Sequence, residues 1–178
     1  MPGSVKIGVS ACLLGEKVRY DGGHKHDSYI TDTLGKLFSF VAVCPEVECG
    51  MTTPREPMRL EGDPAAPRLM TRESRIDMTE QMLSFCREKV EELGKADLCG
   101  FIFKKSSPSS GLVDVKIYDA NGNWTGSGSG LFAHAVAERF PLLPMVEDEQ
   151  LCDAEFRKMF IERVFCYQRE TMFRDLPG

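Results

Sequence analysis

Apolar and polar residues along this chain fall into blocks whose period switches between two and about 3.6. Val5 to Ala11 is short and apolar with two valines and an isoleucine, and it reads as a first strand leading into a turn at Gly15. Tyr20 to Gly23 is a turn or loop. Ile30 to Leu37 predicts a short helix. Phe38 to Val43 predicts a second strand, and its nearly unbroken apolar run is that of a parallel strand buried on both faces. Residues 45–72 contain Pro45, Pro54, Pro57, Pro64 and Pro67 and predict one long loop of the kind that often carries function. Asp77 to Leu93 is the clearest helix, with Met78, Met82, Phe85, Cys86, Val90 and Leu93 at spacings of three and four and Gly94 as its stop.

Leu98 to Phe103 is a third apolar strand, and Lys104 to Gly111 a Ser/Pro/Gly loop. Val113 to Tyr118 is a further strand, Asn121 to Asn123 a turn, and Gly126 to Gly130 a flexible run. Leu131 to Phe140 predicts a helix stopped by Pro141. A last helix runs from Asp153 to about Phe173, with Phe156, Met159, Phe160, Val164 and Tyr167 on one stripe. Strands alternating with helices predict an α/β protein: a Rossmann-like three-layer sandwich with a mostly parallel sheet, plus a C-terminal helix. The expected organisation is one domain over residues 1–147 and a helical tail over residues 148–178.

Composition narrows this picture in two places. Hydrophobic residues are 42% and charged residues 28% of 178, which is globular rather than disordered. Seven cysteines, an odd number, argue against a disulfide framework and for a reducing compartment. No apolar run reaches the roughly 18 residues of a membrane span. Val9-Ser10-Ala11-Cys12 has the look of a lipoprotein cleavage box, but only Ile7-Gly8-Val9 separates it from Lys6, so a cytoplasmic protein is expected. The net charge of −5 carries no global basic footprint for nucleic acid.

The chemistry concentrates at predicted strand ends, where open α/β sheets bind ligands. Cys12 ends the first strand, Cys44 the second, and Ser107-Pro108-Ser109-Ser110-Gly111 follows the third. Cys49 lies five residues beyond Cys44 and can return to the same place. Three thiols with no obvious fourth partner suit a metal with an open position, and thiolates select zinc, Cu(I) or iron–sulfur clusters. Glu46 is a candidate general acid or base, the serines are candidate donors to a ligand anion, and Arg55 is a candidate grip for phosphate. His24 and His26 are read as solvated, and Cys86, Cys99, Cys152 and Cys166 as core or surface thiols.

Ser10-Ala11-Cys12-Leu13-Leu14-Gly15 followed by Val18-Arg19-Tyr20-Asp21-Gly22 resembles the opening signature of the thiouracil desulfidase family. Cys44-Pro45-Glu46, Pro54-Arg55 and Ser107-Pro108-Ser109-Ser110-Gly111 resemble its remaining signatures, in order, across about residues 4–147. The resemblance implies a [4Fe-4S] cluster on three cysteines with one iron left for the substrate sulfur. Its single-domain branch has a third cysteine ligand where this chain has Ser110. The presence of Cys49 here resembles the longer branch, whose substrate is thiolated uridine from tRNA. Phe160 to Phe165 resembles the start of that branch's second domain, which makes the tail a remnant of it.

Carried over by residue, the resemblance implies cluster ligation by Cys12, Cys44 and Cys49. It implies catalytic roles for Glu46 and Ser107; beside these, Ser10, Arg55, Ser109 and Ser110 are expected to contact the substrate. The expected partner is a small thiolated pyrimidine or a thiolated tRNA, and the expected reaction is its conversion to uracil or uridine and sulfide without net redox change. The competing readings are a non-catalytic module that binds thiolated tRNA, and a structural zinc protein using the three cysteines with His24 or His26.

Overall fold

A computed structural model describes residues 4–174. The outermost residues of the two segments expected from the sequence therefore lie outside the described residues. Four strands form a parallel sheet: β1 (Lys6–Ser10), β2 (Ser39–Val43), β5 (Leu98–Phe103) and β8 (Met145–Glu147), in the spatial order β2-β1-β5-β8. β1 and β5 are central and buried throughout except at Lys6. Leu98–Phe103 matches the sequence expectation to the residue. β2 is different: it is an edge strand and only half-buried, because an apolar run looks the same at an edge as at the centre. β8 was not anticipated, since three residues are too few to show a period.

Helices cover both faces. On one side lie α2 (Thr79–Gly94) and α3 (Leu131–Arg139), with Met82, Cys86, Leu93, Phe132 and Val136 packed on Phe101 and Phe103. Phe101 and Phe103 stack at 4.2 Å between ring centres, and Phe132 meets both edge-on. On the other side lie the segment 29–36 and α4 (Ala154–Arg174). There Ile30, Leu34, Phe160 and Val164 bury Ile7, Val9 and Ile102. The segment 29–36 is one wide helical turn followed by a 3-10 turn rather than the regular short helix expected. α4 thus docks on its own sheet through Phe160 and Val164, while Phe156 and Met159 of the expected stripe face solvent. The approach is close because Gly100 faces it: a Cβ there would lie 2.9 Å from Val164 Cγ2.

The main correction concerns residues 45–72. They are not one loop but a short helix, α1 (Pro45–Glu48), and a pair of strands, β3 (Met58–Glu61) and β4 (Arg68–Thr71). The prolines punctuate these elements instead of filling them. Pro45 occupies the first turn of α1, where no amide donor is needed; Pro57 precedes β3; Pro64 and Pro67 lie in the turn between the strands. β3 and β4 belong to a second, mixed sheet with β6 (Val115–Tyr118) and β7 (Trp124–Gly128), in the order β4-β3-β6-β7. The Gly/Ser run expected to be flexible is half strand β7 and half the entry to α3. Leu60, Leu69, Val115 and Ile117 of this sheet join the core beneath α2. Among the described residues no helix is long and apolar enough to cross a membrane.

Candidate active site

The parallel register sets the strand ends level. Ser10 pairs with Val43 across β1 and β2, and Phe103 pairs with Glu147 across β5 and β8. Cys12, Cys44 and the segment 104–110 therefore leave the sheet along one edge. The strand order reverses between β1 and β5, and such a switch point opens a crevice at the carboxyl ends. A cavity of about 450 Å³ lies there, and its wall includes Ser10, Cys12, Cys44, Glu46, Arg55, Ser107 and Ser110.

Each wall is fixed from behind. A single 3-10 turn (Ala11–Leu14) follows β1 directly and buries Cys12. The Ser10 hydroxyl accepts the Lys104 amide at 2.9 Å, tying the ends of β1 and β5 together. α1 places Glu46 two residues past Cys44. It is anchored by Glu48, which accepts the Cys44 amide at 2.9 Å and pairs with the buried Lys89 of α2 at 2.8 Å. The serine loop is held by the first turn of α3: the Leu131 amide donates to the Pro108 carbonyl, and those of Phe132 and Ala133 to Ser109, at 2.9–3.1 Å. These are the orphan donors of a helix start, here satisfied by the loop that carries the chemistry.

Glu46 is buried, and the Ser109 hydroxyl donates to its Oε1 at 2.5 Å. Its Oε2 lies 3.7 Å from Cys44 Sγ. Ser107 Oγ accepts the amides of Ser109 and Ser110 at 3.3 and 3.1 Å and lies 3.1 Å from Ser109 Oγ. Burial pushes the Cys44 thiol up to about 12, with Glu46 adding to the rise. Burial also raises Cys12, while Arg19 and Lys104 pull against it. Buried thiols of this kind favour a soft cation, because a cation removes the cost of the buried thiolate.

Two expected site residues stand apart from the cavity wall. Ser109 is fully buried behind it. Cys49, which ends α1, turns its thiol toward the Glu46 carbonyl at 3.3 Å and packs against the core cluster that contains Cys86. Among the described residues no three His, Cys, Asp or Glu side chains converge as a metal cage. His24 and His26 are exposed and off the cavity, where His26 Nε2 meets Thr31 Oγ1 and His24 Nδ1 accepts the His26 amide. Arg55 donates to the Val18 carbonyl at 2.9 Å and so joins the loop 18–20 to the loop 52–55, with its Nε buried and unpartnered. Cys86 and Cys99 are buried in the core, and Cys152 and Cys166 are exposed, as the sequence suggests.

The sequence reading missed the cations. Arg19, Lys25, Arg72, Lys104 and Lys105 line the cavity with Arg55, against the carboxylates of Glu46, Glu56 and Glu149. Lys104 is held by Asp148 at 2.7 Å and Lys105 by Glu149 at 2.6 Å, from the segment just after β8. The strand-end rule that found Cys12 applies equally to Lys104 and Lys105, which follow β5 directly.

A model of the family described as 2-thiouracil desulfurase matches residues 7–148. YbbK of Bacillus subtilis (strain 168), described as an uncharacterized protein, is 31% identical over 133 residues, spanning 70% of this chain and 85% of its own. A solved structure of the [4Fe-4S]-dependent thiouracil desulfidase TudS is 31% identical, with a TM-score of 0.67 over 83% of this chain and 93% of that one.

Proposed function

The chain belongs to the 2-thiouracil desulfurase family, and from that premise we propose that it hydrolyses the carbon–sulfur bond of a thiolated pyrimidine. The observation that carries the reading is the convergence of two thiols, a buried carboxylate and a serine hydroxyl on one cavity at the switch point of the sheet. The products are uracil or uridine and sulfide, with water supplying the oxygen, so no net electron transfer is required. The substrate is thiouracil or thiouridine as free base, nucleoside or part of tRNA. The excess of cationic over acidic side chains on the wall favours a form that carries phosphate.

The donor set fits the family's cluster in its chemistry: Cys12 and Cys44 present soft sulfur on neighbouring strand ends, and Arg19 and Lys104 beside Cys12 complement a thiolate-bound group. Cys12 and Cys44 would hold it; Cys49, just past the short helix that carries Glu46, would complete the set only with its thiol turned from the core side to the cavity. When bound, an iron without a protein ligand supplies a soft Lewis acid for thiocarbonyl sulfur. The chain's own groups do the rest. Glu46, in reach of the cavity, takes the proton of the attacking water or passes a proton to a ring nitrogen. Ser107 has its oxygen committed to two backbone amides, so what it offers the base is its one O–H, which turns from Ser109 to an acceptor on the base when substrate binds.

The test is anaerobic reconstitution with iron and sulfide, followed by metal analysis and by the loss of 2- or 4-thiouracil absorbance. Iron and acid-labile sulfide in equal amounts with turnover is expected. Glu46→Ala should lose roughly 10²–10⁴-fold in turnover while keeping its iron. Stoichiometric zinc with no iron would return the cysteines to a structural role.

A further inference from the structure

Ser109 is the least exposed polar side chain near the cavity, yet it does not touch the cavity. Its hydroxyl sits between the two groups to which the proposed reaction assigns chemistry. A carboxylate carries no hydrogen, so in the 2.5 Å contact Ser109 donates and Glu46 Oε1 accepts. That spends the only proton of Ser109. Its oxygen is left as an acceptor, 3.1 Å from Ser107 Oγ and 3.3 Å from Ser110 Oγ. Ser107 Oγ already accepts two amides, so in its contact with Ser109 it donates. The hydrogen bonds therefore run one way, from Ser107 to Ser109 to Glu46.

We propose that Ser109 is a positioning residue that fixes the Glu46 carboxylate against the loop that carries Ser107. The proposal rests on the desulfurisation reading above. Glu46 comes from the helix after β2 and Ser107 from the loop after β5, and Ser109 is the hydroxyl that bridges them. Its place is in turn imposed by α3, whose Phe132 and Ala133 amides hold the Ser109 carbonyl at 2.9 and 3.0 Å. Removing the bridge frees Glu46 to rotate toward Cys44, without removing any group that meets the substrate.

The experiment compares wild type, Ser109→Ala, Glu46→Ala and the double variant as reconstituted holoproteins. Thiouracil turnover and uracil affinity by calorimetry are the readouts. Ser109→Ala is expected to lower kcat by about 10–10²-fold, the scale of a small misplacement of a catalytic group. KM, uracil affinity and iron content should stay within about twofold. The double variant should be no slower than Glu46→Ala alone, because Ser109 acts through Glu46. Should Ser109→Ala fail to fold, Ser109→Cys takes its place, keeping the volume and offering only a weak donor. Multiplicative losses in the double variant, or a loss expressed in KM and iron content, would overturn the positioning role while leaving the reaction intact. A wild type that binds iron and sulfide but turns over neither thiouracil nor thiouridine would overturn the reaction, and the positioning role with it.

Discussion

Gly130 is where the fold and the site touch most closely, and Gly130→Ala measures how tightly. Gly130 precedes α3 and packs against the backbone of the serine loop. A Cβ added there would lie 2.5 Å from the Ser109 carbonyl carbon, 2.6 Å from its oxygen and 2.8 Å from the Ser110 nitrogen. Carbon contacts settle at about 3.5–4.0 Å, so the loop must retreat by about 1 Å. The obstacle is backbone, which cannot swing aside as a side chain can. The retreat also stretches the bonds from Gly130 to the Gly111 carbonyl at 2.7 Å and from the first turn of α3 to Pro108 and Ser109. Overpacking of this size costs about 1–3 kcal/mol, and a chain of this length loses roughly 2–4 °C of Tm per kcal/mol. The expected Tm fall is therefore about 2–12 °C. The same displacement carries Ser107 and Ser109 away from Glu46, which predicts a loss of about 10²-fold in kcat/KM for thiouracil. Thermal unfolding by circular dichroism and turnover by absorbance read the two effects separately. Gly126→Ala, four residues away in the same run, is the control, since its Cβ would meet Pro64 at an ordinary 3.6 Å. A Gly130→Ala protein with wild-type Tm and turnover would refute the claim that α3 sets the serine loop.

Two further outcomes follow from ionisable groups shifted by their surroundings. Glu61 accepts Arg75 and Arg59, and these hydrogen bonds hold its carboxyl below the ordinary 4.5. A carboxyl depressed in the folded state stabilises it above the unfolded value, and that contribution fades as pH falls through the folded value. The Tm of wild type should drop below about pH 4.5 by more than that of Glu61→Gln, and parallel acid limbs would remove Glu61 from the account. Cys44, pushed from 9.0 to about 12, should react with iodoacetamide in metal-free protein up to about 10³-fold more slowly at pH 8 than the exposed Cys152 or Cys166, by peptide mass spectrometry. Equal rates would mean that the cavity does not suppress its thiolate.

Where a period or a strand end carries information, the chain alone was enough. β5 and α2 were legible because their apolar spacing repeats over a whole element, and the α/β class follows from their alternation. The motif residues Cys12, Cys44, Glu46 and Ser107 were legible because each sits just past a strand, and parallel strands deliver such residues to one edge. Residues 45–72 were not legible, because proline density cannot distinguish a loop from short elements bounded by prolines. The glycine-rich run misled for the same reason: freedom of a backbone in the unfolded chain does not say whether a neighbouring strand or loop will use it. Only the tertiary structure decided which side of the wall each group occupies. Ser109 and Ser110 are adjacent in the chain, yet Ser110 faces the cavity and Ser109 braces Glu46, because the loop between β5 and β6 is held by amide donors of α3 that no linear pattern reveals. Cys49 turns toward the core rather than the cavity, since side-chain direction at a helix end is set by what packs behind it.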